Sequence, residues 1–224
     1  MNALPARHAV FSADTLAFDP EAEAERIAAA LRDQLRAMKK RGLVIGLSGG
    51  IDSSASLALA VRAVGAANVF GLFMPENDSD PESLRLGRLL AKTFGVEAVV
   101  EDIGPALKAM GCYERRDASI REMVPQYGPG WASKVVIANA LEAGGYNISS
   151  LVVEDPEGNR QTLRMSHSAY LGVVAATNMK QRTRKQMEYY HADRLNFAVI
   201  GTPNRLEYDQ GFFVKNGDGA ADVK

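Results

Sequence analysis

The run SGGIDSS, from Ser48 to Ser54, sets two glycines, an aspartate and three serines between two apolar stretches. Residues of these types at this spacing can bind phosphate. Gly49 and Gly50 allow backbone conformations that a Cβ forbids, so that neighbouring N–H groups converge on an anion. The hydroxyls of Ser48, Ser53 and Ser54 can donate to phosphate oxygens. An aspartate beside phosphate is repulsive unless a cation lies between them, so Asp52 points to magnesium. The run is not a Walker A loop, because no lysine follows the glycines, and it lacks the G-x-G-x-x-G spacing of a dinucleotide fingerprint. A lone Gly-Gly or Ser-x-x-Asp would read as a tight turn with a helix cap. The complete S-G-G-x-D-S run, directly after a strand, favours a phosphate site over a cap alone.

The flanking elements give this run its position. Leu43 to Leu47 (LVIGL) reads as a buried strand, and Ala55 to Val64 as a helix that is apolar almost all round. The cluster therefore sits between a strand end and a helix N-terminus, where unpaired N–H groups and a partial positive charge add to anion binding. NVFGLFM then reads as a strand, DPESLRLGRLLAKTFG as a helix stopped by Gly95, and VEAVVEDI as a third strand. Upstream, Ile27, Leu31, Leu35 and Met38 recur at helical spacing. Strand, helix and strand in this rhythm predict a parallel sheet with right-handed crossovers and a ligand at its carboxyl edge.

From Gly111 to about Thr177 the rhythm breaks. GPGW and AGGYN are turn-rich, and SSLVVEDPEGNRQTLRM reads as a hairpin turning at Asp155 to Gly158. An inserted lobe is expected there. Asn178 to Leu195 returns to helix, basic at its start, and NFAVIGT reads as another buried strand. With 224 residues, 46% of them hydrophobic, and a formal net charge of -1, the composition suits one domain with no general pull toward nucleic acid or membrane. No stretch approaches the roughly 20 apolar residues of a membrane-spanning helix. The N-terminus lacks the long apolar core of a signal peptide, so a cytoplasmic protein is expected. Cys112 is the one cysteine, which excludes an internal disulfide and a multi-cysteine zinc site. His167, Trp131, Tyr189, Tyr190 and His191 read as packing or surface residues.

SGGIDSS resembles the pyrophosphate-binding loop of the N-type ATP pyrophosphatases. Members of that superfamily break ATP between its α- and β-phosphates and attach AMP to a substrate oxygen. A nitrogen or sulfur nucleophile then displaces the AMP. The last fifty residues narrow the resemblance. The helix motif N-x-K-x-R-x-R, the G-T-x-x-x-x-E turn and the segment G-F-F-x-K-x-G-D-G-x-x-D occur in order and are similar to those of the ammonia-dependent NAD synthetase family.

The resemblance implies a doubly wound parallel α/β sheet of the adenine nucleotide α-hydrolase type, with residues 1–224 forming one domain and 111–177 a small inserted lobe. It implies amidation of deamido-NAD to NAD through an adenylated carboxylate, with ATP and Mg²⁺, ammonia as nitrogen donor, and a homodimer. Residue by residue, Gly46, Leu47, Ser48, Gly49, Gly50, Ile51, Asp52 and Ser53 would hold the ATP phosphates, and Thr202 would contact the nucleotide. Asp52 and Glu207 would bind Mg²⁺. Arg182, Lys215 and Asp222 would hold deamido-NAD, with Asp52 and Lys215 serving catalysis. Glutamine-using relatives carry an amidohydrolase domain that has no counterpart here, so free ammonia is the expected donor. The family pattern continues past G-D-G-x-x-D with a nucleotide-contacting threonine and a His-Lys pair, so its C-terminal part is expected to be absent from this chain. Amidation of a different carboxylate by a related enzyme, or a non-catalytic nucleotide-binding module, stays open on the sequence.

Overall fold

The computed structural model describes residues 17–137 and 149–224. The readings of the first sixteen residues and of AGGYN therefore lie outside the described residues. In chain order the elements are α1 (Pro20–Met38), β1 (Leu43–Gly46), α2 (Ile51–Val64), β2 (Val69–Phe73), α3 (Pro81–Phe94), β3 (Glu97–Val100), α4 (Gly104–Ala109) and α5 (Cys112–Arg121). They continue with β4 (Ala132–Ile137), β5 (Ser149–Glu154), β6 (Arg160–Arg164), α6 (His167–Leu195), β7 (Ala198–Val199) and α7 (Arg205–Gln210).

Four strands form one parallel sheet in the order β3-β2-β1-β7. The strand LVIG is apolar without alternation because both its faces are covered. Leu43 and Ile45 pack with Leu31, Leu57 and Ala60 of α1 and α2 on one face. Val44 packs with Leu107, Ala176 and Ala192 of α4 and α6 on the other. The sheet is thus doubly wound, as the strand–helix rhythm predicts. The chain leaves β1 toward β2 and β3, then returns to the opposite side of β1 as β7. Connections diverge at the carboxyl ends of β1 and β7, and an open crevice results.

Local chemistry sets the element ends. The Asp80 side chain accepts the Glu82 N–H at 2.8 Å, Pro81 occupies the first turn of α3, and Gly95 closes the helix in the left-handed region. Helix α6 begins at His167, where Ser166 accepts the Ala169 N–H, and not at Asn178. Its first turns contain Gly172, Val173 and Val174, which weaken a purely local helix signal. Burial of Ala169, Val173 and Ala176 outweighs that propensity.

Between α5 and α6, β4, β5 and β6 form a separate antiparallel sheet. The β5–β6 hairpin turns where expected, with the Asp155 carboxylate accepting the N–H groups of Glu157 and Asn159. Strand β4 lacks a comparable sequence signal. The sheet packs Leu151 and Val153 against Ile120, Val124 and Val173. At the other end of the molecule the final residues run beside β7. Ile200 bridges Val223 in parallel, and Asp222 Oδ2 accepts the Val199 N–H at 2.8 Å. Among the described residues no helix is long and apolar enough to cross a membrane.

Leu57 of α2 is completely buried against the sheet. Leu57→Ala should remove about 2–5 kcal/mol of stability through lost burial and a cavity. In urea unfolding, the midpoint should fall with the slope unchanged.

Candidate active site

A cleft of about 490 Å³ opens at the carboxyl ends of β1 and β7. Gly46, Leu47, Ser48, Gly50, Asp52 and Ser53 form one wall, and Thr202, Pro203 and Glu207 another. Strand pairing persists one residue beyond β1, with the Leu47 N–H donating to the Leu72 carbonyl at 2.8 Å. The chain then turns at Gly49, whose φ of 79° lies in the left-handed region. A Cβ there would stand 2.5 Å from the Ser83 carbonyl oxygen of α3. Two constraints, sign of φ and close approach, thus fix glycine at this position.

The N-cap of α2 is Gly50, and it supplies no side-chain acceptor. The first-turn N–H groups therefore have no side-chain partner, and Gly50, Asp52 and Ser53 of that turn line the cleft. Asp52 does not cap the helix, and among the described residues its carboxylate accepts no hydrogen bond. The cap-only reading of Asp52 thus loses its structural basis. The serines differ from one another. Ser48 Oγ accepts the Gly50 N–H at 3.3 Å and lies 3.1 Å from Ser53 Oγ. Ser53 and Ser54 donate to the Gly50 carbonyl, and Ser54 does not line the cleft.

Glu207 reaches the cleft from the short helix α7, where the sequence suggested only a turn. It forms a capping box: Asn204 Oδ1 accepts the Glu207 N–H at 2.9 Å, and Glu207 Oε2 accepts the Asn204 N–H at 3.1 Å. That box orients the carboxylate and occupies one of its oxygens. Two carboxylates, Asp52 and Glu207, thus border one cleft, while among the described residues no group of three or more acidic, histidine or cysteine side chains gathers as a metal cage. This donor set suits Mg²⁺, which is commonly held by one or two carboxylates plus phosphate oxygens and water.

Other predicted residues lie elsewhere. Ile51 is 80% exposed, and neither it nor Gly49 lines the cleft. Arg182 lines a second, more open depression with Lys185, Gln186, Tyr189 and Tyr190, and its Nε donates to the Lys215 carbonyl at 3.1 Å. The Lys215 side chain is exposed and lines neither cavity. Asp222 holds the β7 backbone and also accepts the Tyr189 hydroxyl at 3.3 Å. Burial, with the Asp222 charge adding to it, pushes the Tyr189 phenol up to about 12. His191 is buried, with Nδ1 accepting from Arg194 Nε and Nε2 donating to Glu101 at 2.8 Å. Cys112 is buried, and burial pushes its thiol up, away from thiolate chemistry.

Helix α6 contributes a wall that the motif reading missed. Gln181, Arg184, Lys185 and Glu188 all line the cleft. Their spacing of three, four and seven residues places them on one helix face, a signal hidden when the basic run is weighed by charge alone. Lys185 Nζ donates to Glu188 Oε2 at 2.5 Å within the buried part of that face. The loop that follows β2 is held by charged pairs. Glu76 accepts from Lys180 Nζ at 3.1 Å and from the Tyr113 hydroxyl at 2.9 Å, while Asp78 pairs with Lys180 and Arg116. Burial alone would raise the Asp78 carboxyl, but Lys180 and Arg116 outweigh it and hold it below its ordinary value. These pairs fix the loop whose Pro75, Ser79 and Asp80 close the cleft.

Comparison with known proteins adds identity to the geometry. The family model described as NAD synthase matches residues 23–125 and 146–224. An NH₃-dependent NAD⁺ synthetase of Rhizobium meliloti is 82% identical over 215 residues, which cover 96% of this chain and 64% of that protein. A protein of the same description from Rhizobium rhizogenes is 66% identical, over 97% of this chain and 66% of its own length. The chain therefore spans about two thirds of the length of these relatives. Among solved structures, an NMN synthetase from Francisella tularensis superposes with a TM-score of 0.62 at 24% identity, covering 92% of this chain and 64% of its own. An NH₃-dependent NAD synthetase from Campylobacter jejuni gives 0.61 at 22%, covering 92% and 68%. The structural matches establish the adenine nucleotide α-hydrolase type of fold.

Gly49→Ala should destabilise the protein by about 1–3 kcal/mol, because it combines a positive φ with a clash against backbone. Gly50→Ala should cost about 1 kcal/mol or less, since φ there is an ordinary -84° and a Cβ meets only Ser48 Oγ at 3.3 Å. Urea unfolding of the two variants side by side checks the difference. Equal losses would remove the special constraint from Gly49.

Proposed function

The chain belongs to the NAD synthase family, and on that premise we propose that it amidates deamido-NAD to NAD with ATP and ammonia, releasing AMP and pyrophosphate. The observation that carries this reading is the placement of Asp52 and Glu207 on the lining of one cleft, beside the glycine turn and an uncapped helix N-terminus. The named activity of the Rhizobium meliloti relative supports it.

The chemistry follows from a poor leaving group. A nicotinate carboxylate would have to expel oxide, so it is first joined to AMP, which leaves readily. In this reading the backbone of Gly46 to Ser53 binds the ATP phosphates, with Ser48 fixing the turn, and Thr202 contacts the nucleotide. Asp52 and the remaining Glu207 oxygen would hold Mg²⁺, which would supply charge neutralisation for the departing pyrophosphate. Arg184 adds positive charge on the α6 wall, where Lys185 is already paired with Glu188. Deamido-NAD is assigned to the α6 side, with Arg182, Lys215 and Asp222 as its contacts. Arg182 suits that role because its planar fork matches phosphate or carboxylate. Among the described residues Lys185 alone lines both cavities, so the two substrates can approach each other along its side of the wall. No side-chain nucleophile is required. We further infer a homodimer acting in the cytoplasm on free ammonia, without nucleic acid or membrane, built as one domain with the antiparallel sheet as its inserted lobe.

Isotope position tests the reaction order. Deamido-NAD labelled with ¹⁸O in its carboxylate should give labelled AMP and unlabelled pyrophosphate. Label in phosphate released alongside ADP would mean acyl-phosphate chemistry and would overturn the reading.

Asp52→Asn tests the cation. Because Asp52 makes no cap, the variant should unfold at the same urea concentration as the parent. Its deamido-NAD-dependent ATP–pyrophosphate exchange should fall by at least about a hundredfold, the scale of losing charge stabilisation at a leaving group. Excess Mg²⁺ should restore only part of the rate. Near-normal exchange at ordinary Mg²⁺ would take Asp52 out of the metal site.

A further inference from the structure

The loop between β2 and α3 borders the cleft, yet after Pro75 it runs Glu76, Asn77, Asp78, Ser79 and Asp80, with no hydrocarbon side chain to bury. A circuit of polar contacts holds it instead, centred on Glu76, whose side chain is 6% exposed. Glu76 Oε1 accepts from Lys180 Nζ of α6 at 3.1 Å. Oε2 accepts the Tyr113 hydroxyl of α5 at 2.9 Å and the Asp78 N–H at 3.1 Å. The Tyr113 oxygen in turn accepts the Asn77 N–H at 3.3 Å. Ser79 closes the circuit: its Oγ accepts the Glu76 N–H at 3.0 Å, and its own N–H donates to the Glu76 carbonyl at 2.9 Å.

Among the described residues only Lys180 pairs its charge with Glu76. The same ammonium meets Asp78, which Arg116 of α5 also holds. Lys180 and Arg116 both lie over the Tyr113 ring, 5.4 and 5.7 Å from its centroid. Burial pushes the Tyr113 phenol up, against the Asn77 N–H and with the help of Glu76, so the hydroxyl keeps its proton and stays a donor. Without Lys180 the buried Glu76 charge would have no counter-ion, and a carboxylate so placed is drawn toward water. The loop can follow it outward. Helix α6 cannot, because Ala176 and Ala192 on either side of Lys180 sit in the sheet core.

We propose that Lys180 is a positioning residue for adenylation: acting through Glu76, it locks the β2–α3 loop onto α6 and so fixes one wall of the nucleotide cleft. The inference rests on the amidation reading above. Lys180 itself lines neither cavity, so its effect reaches the nucleotide only through the loop. The lock places Pro75, Ser79 and Asp80 on the cleft lining. It also reaches the glycine turn, since Asp80 caps α3 and the Ser83 carbonyl in the first turn of that helix is the group Gly49 packs against. Because Arg182 and Arg184 stand on the same helix as Lys180, the lock sets the nucleotide wall in register with the side assigned to deamido-NAD.

Lys180→Met in the full chain tests the lock, because it keeps the apolar stem and removes the charge. The KM for ATP in deamido-NAD-dependent ATP–pyrophosphate exchange should rise by roughly tenfold or more, the scale of a lost hydrogen bond to a charged group. Cleavage after Glu76 by a glutamate-specific protease should quicken, and saturating ATP should slow it again. Lys180→Arg, still a cation within reach of both acids, should regain most of the ATP KM. Lys180→Met combined with Glu76→Gln should be no worse than Lys180→Met alone, since the two residues act as one unit. Losses that add instead would mean that Lys180 meets substrate directly, and would overturn the proposal. So would a lowered urea midpoint with the ATP KM and the cleavage rate unchanged, the mark of a purely structural pair. Should Lys180→Met fail to fold, Tyr113→Phe removes one donor to Glu76 without stranding a charge. Its ATP KM should then rise roughly threefold or more with faster cleavage, and no change in either overturns the lock. A parent protein without deamido-NAD-dependent exchange overturns the amidation reading, while the lock is still judged by the cleavage rates and their response to ATP.

Discussion

The approach of Gly49 to Ser83 is the contact on which the cleft depends. At the end of β1 the chain has to leave the sheet, turn, and start α2 within about one helical turn of residues. The α3 backbone lies so close that a Cβ at position 49 would meet a carbonyl oxygen at 2.5 Å. Any residue other than glycine would push the turn outward and carry the α2 N-terminus with it. The N–H groups of that terminus, the Asp52 carboxylate and the Ser48 hydroxyl are all placed by this one turn. The parallel sheet then supplies the second wall, because β7 pairs with β1 on the side opposite β2 and delivers Thr202 and Glu207 to the same crevice.

Helix α6 couples the two halves of the molecule. Its first turns are apolar where Val173 and Ala176 meet α5 and the antiparallel sheet. Its middle presents Lys180 to the acids of the β2 loop, and Gln181, Arg184, Lys185 and Glu188 to the cleft. Its last turns return to packing, with Ala192 in the sheet core and His191 stacked on Phe70 at 5.2 Å. The buried face therefore changes character along its length. One continuous helix thus packs against the antiparallel sheet at its start and lines the cleft at its middle.

This change of face explains what the sequence could and could not disclose. The glycine turn, the apolar strands and the β5–β6 hairpin are local signals, each written in a few neighbouring residues, and the structure has them in place. Asp52 stood out in the sequence because its charge conflicts with its neighbours' chemistry, and the structure sets it on the cleft wall. Arg184, Lys185 and Glu188 were harder to find, since their meaning depends on which side of α6 the rest of the chain covers. The start of α6 was missed for a related reason: burial against α5 overrides weak propensity around Gly172. Arg182, Lys215 and Asp222 show the converse limit. A motif names residue types in order, whereas the fold puts these three outside the cleft and gives the Asp222 carboxylate a second task on the β7 edge.

The charge balance of the cleft bears on what can enter it. Five carboxylate side chains, Asp52, Asp80, Glu188, Glu207 and Asp218, face only two cationic ones, Arg184 and Lys185. Some of the acids are engaged, Asp80 as a helix cap and Glu188 with Lys185. Their charge nonetheless remains near the crevice. Two like charges about 4 Å apart repel by about 4 kcal/mol at the effective dielectric of a protein surface. A polyphosphate approaching this wall therefore meets opposition that backbone N–H groups alone do not offset. Cations arriving with it would offset that repulsion. The acids fall into two sets, Asp52 and Glu207 at the strand ends, and Glu188 facing Asp218 beside α6. That division leaves acidic side chains at the strand ends and beside α6 alike, so on the amidation reading neither wall of the cleft is purely cationic.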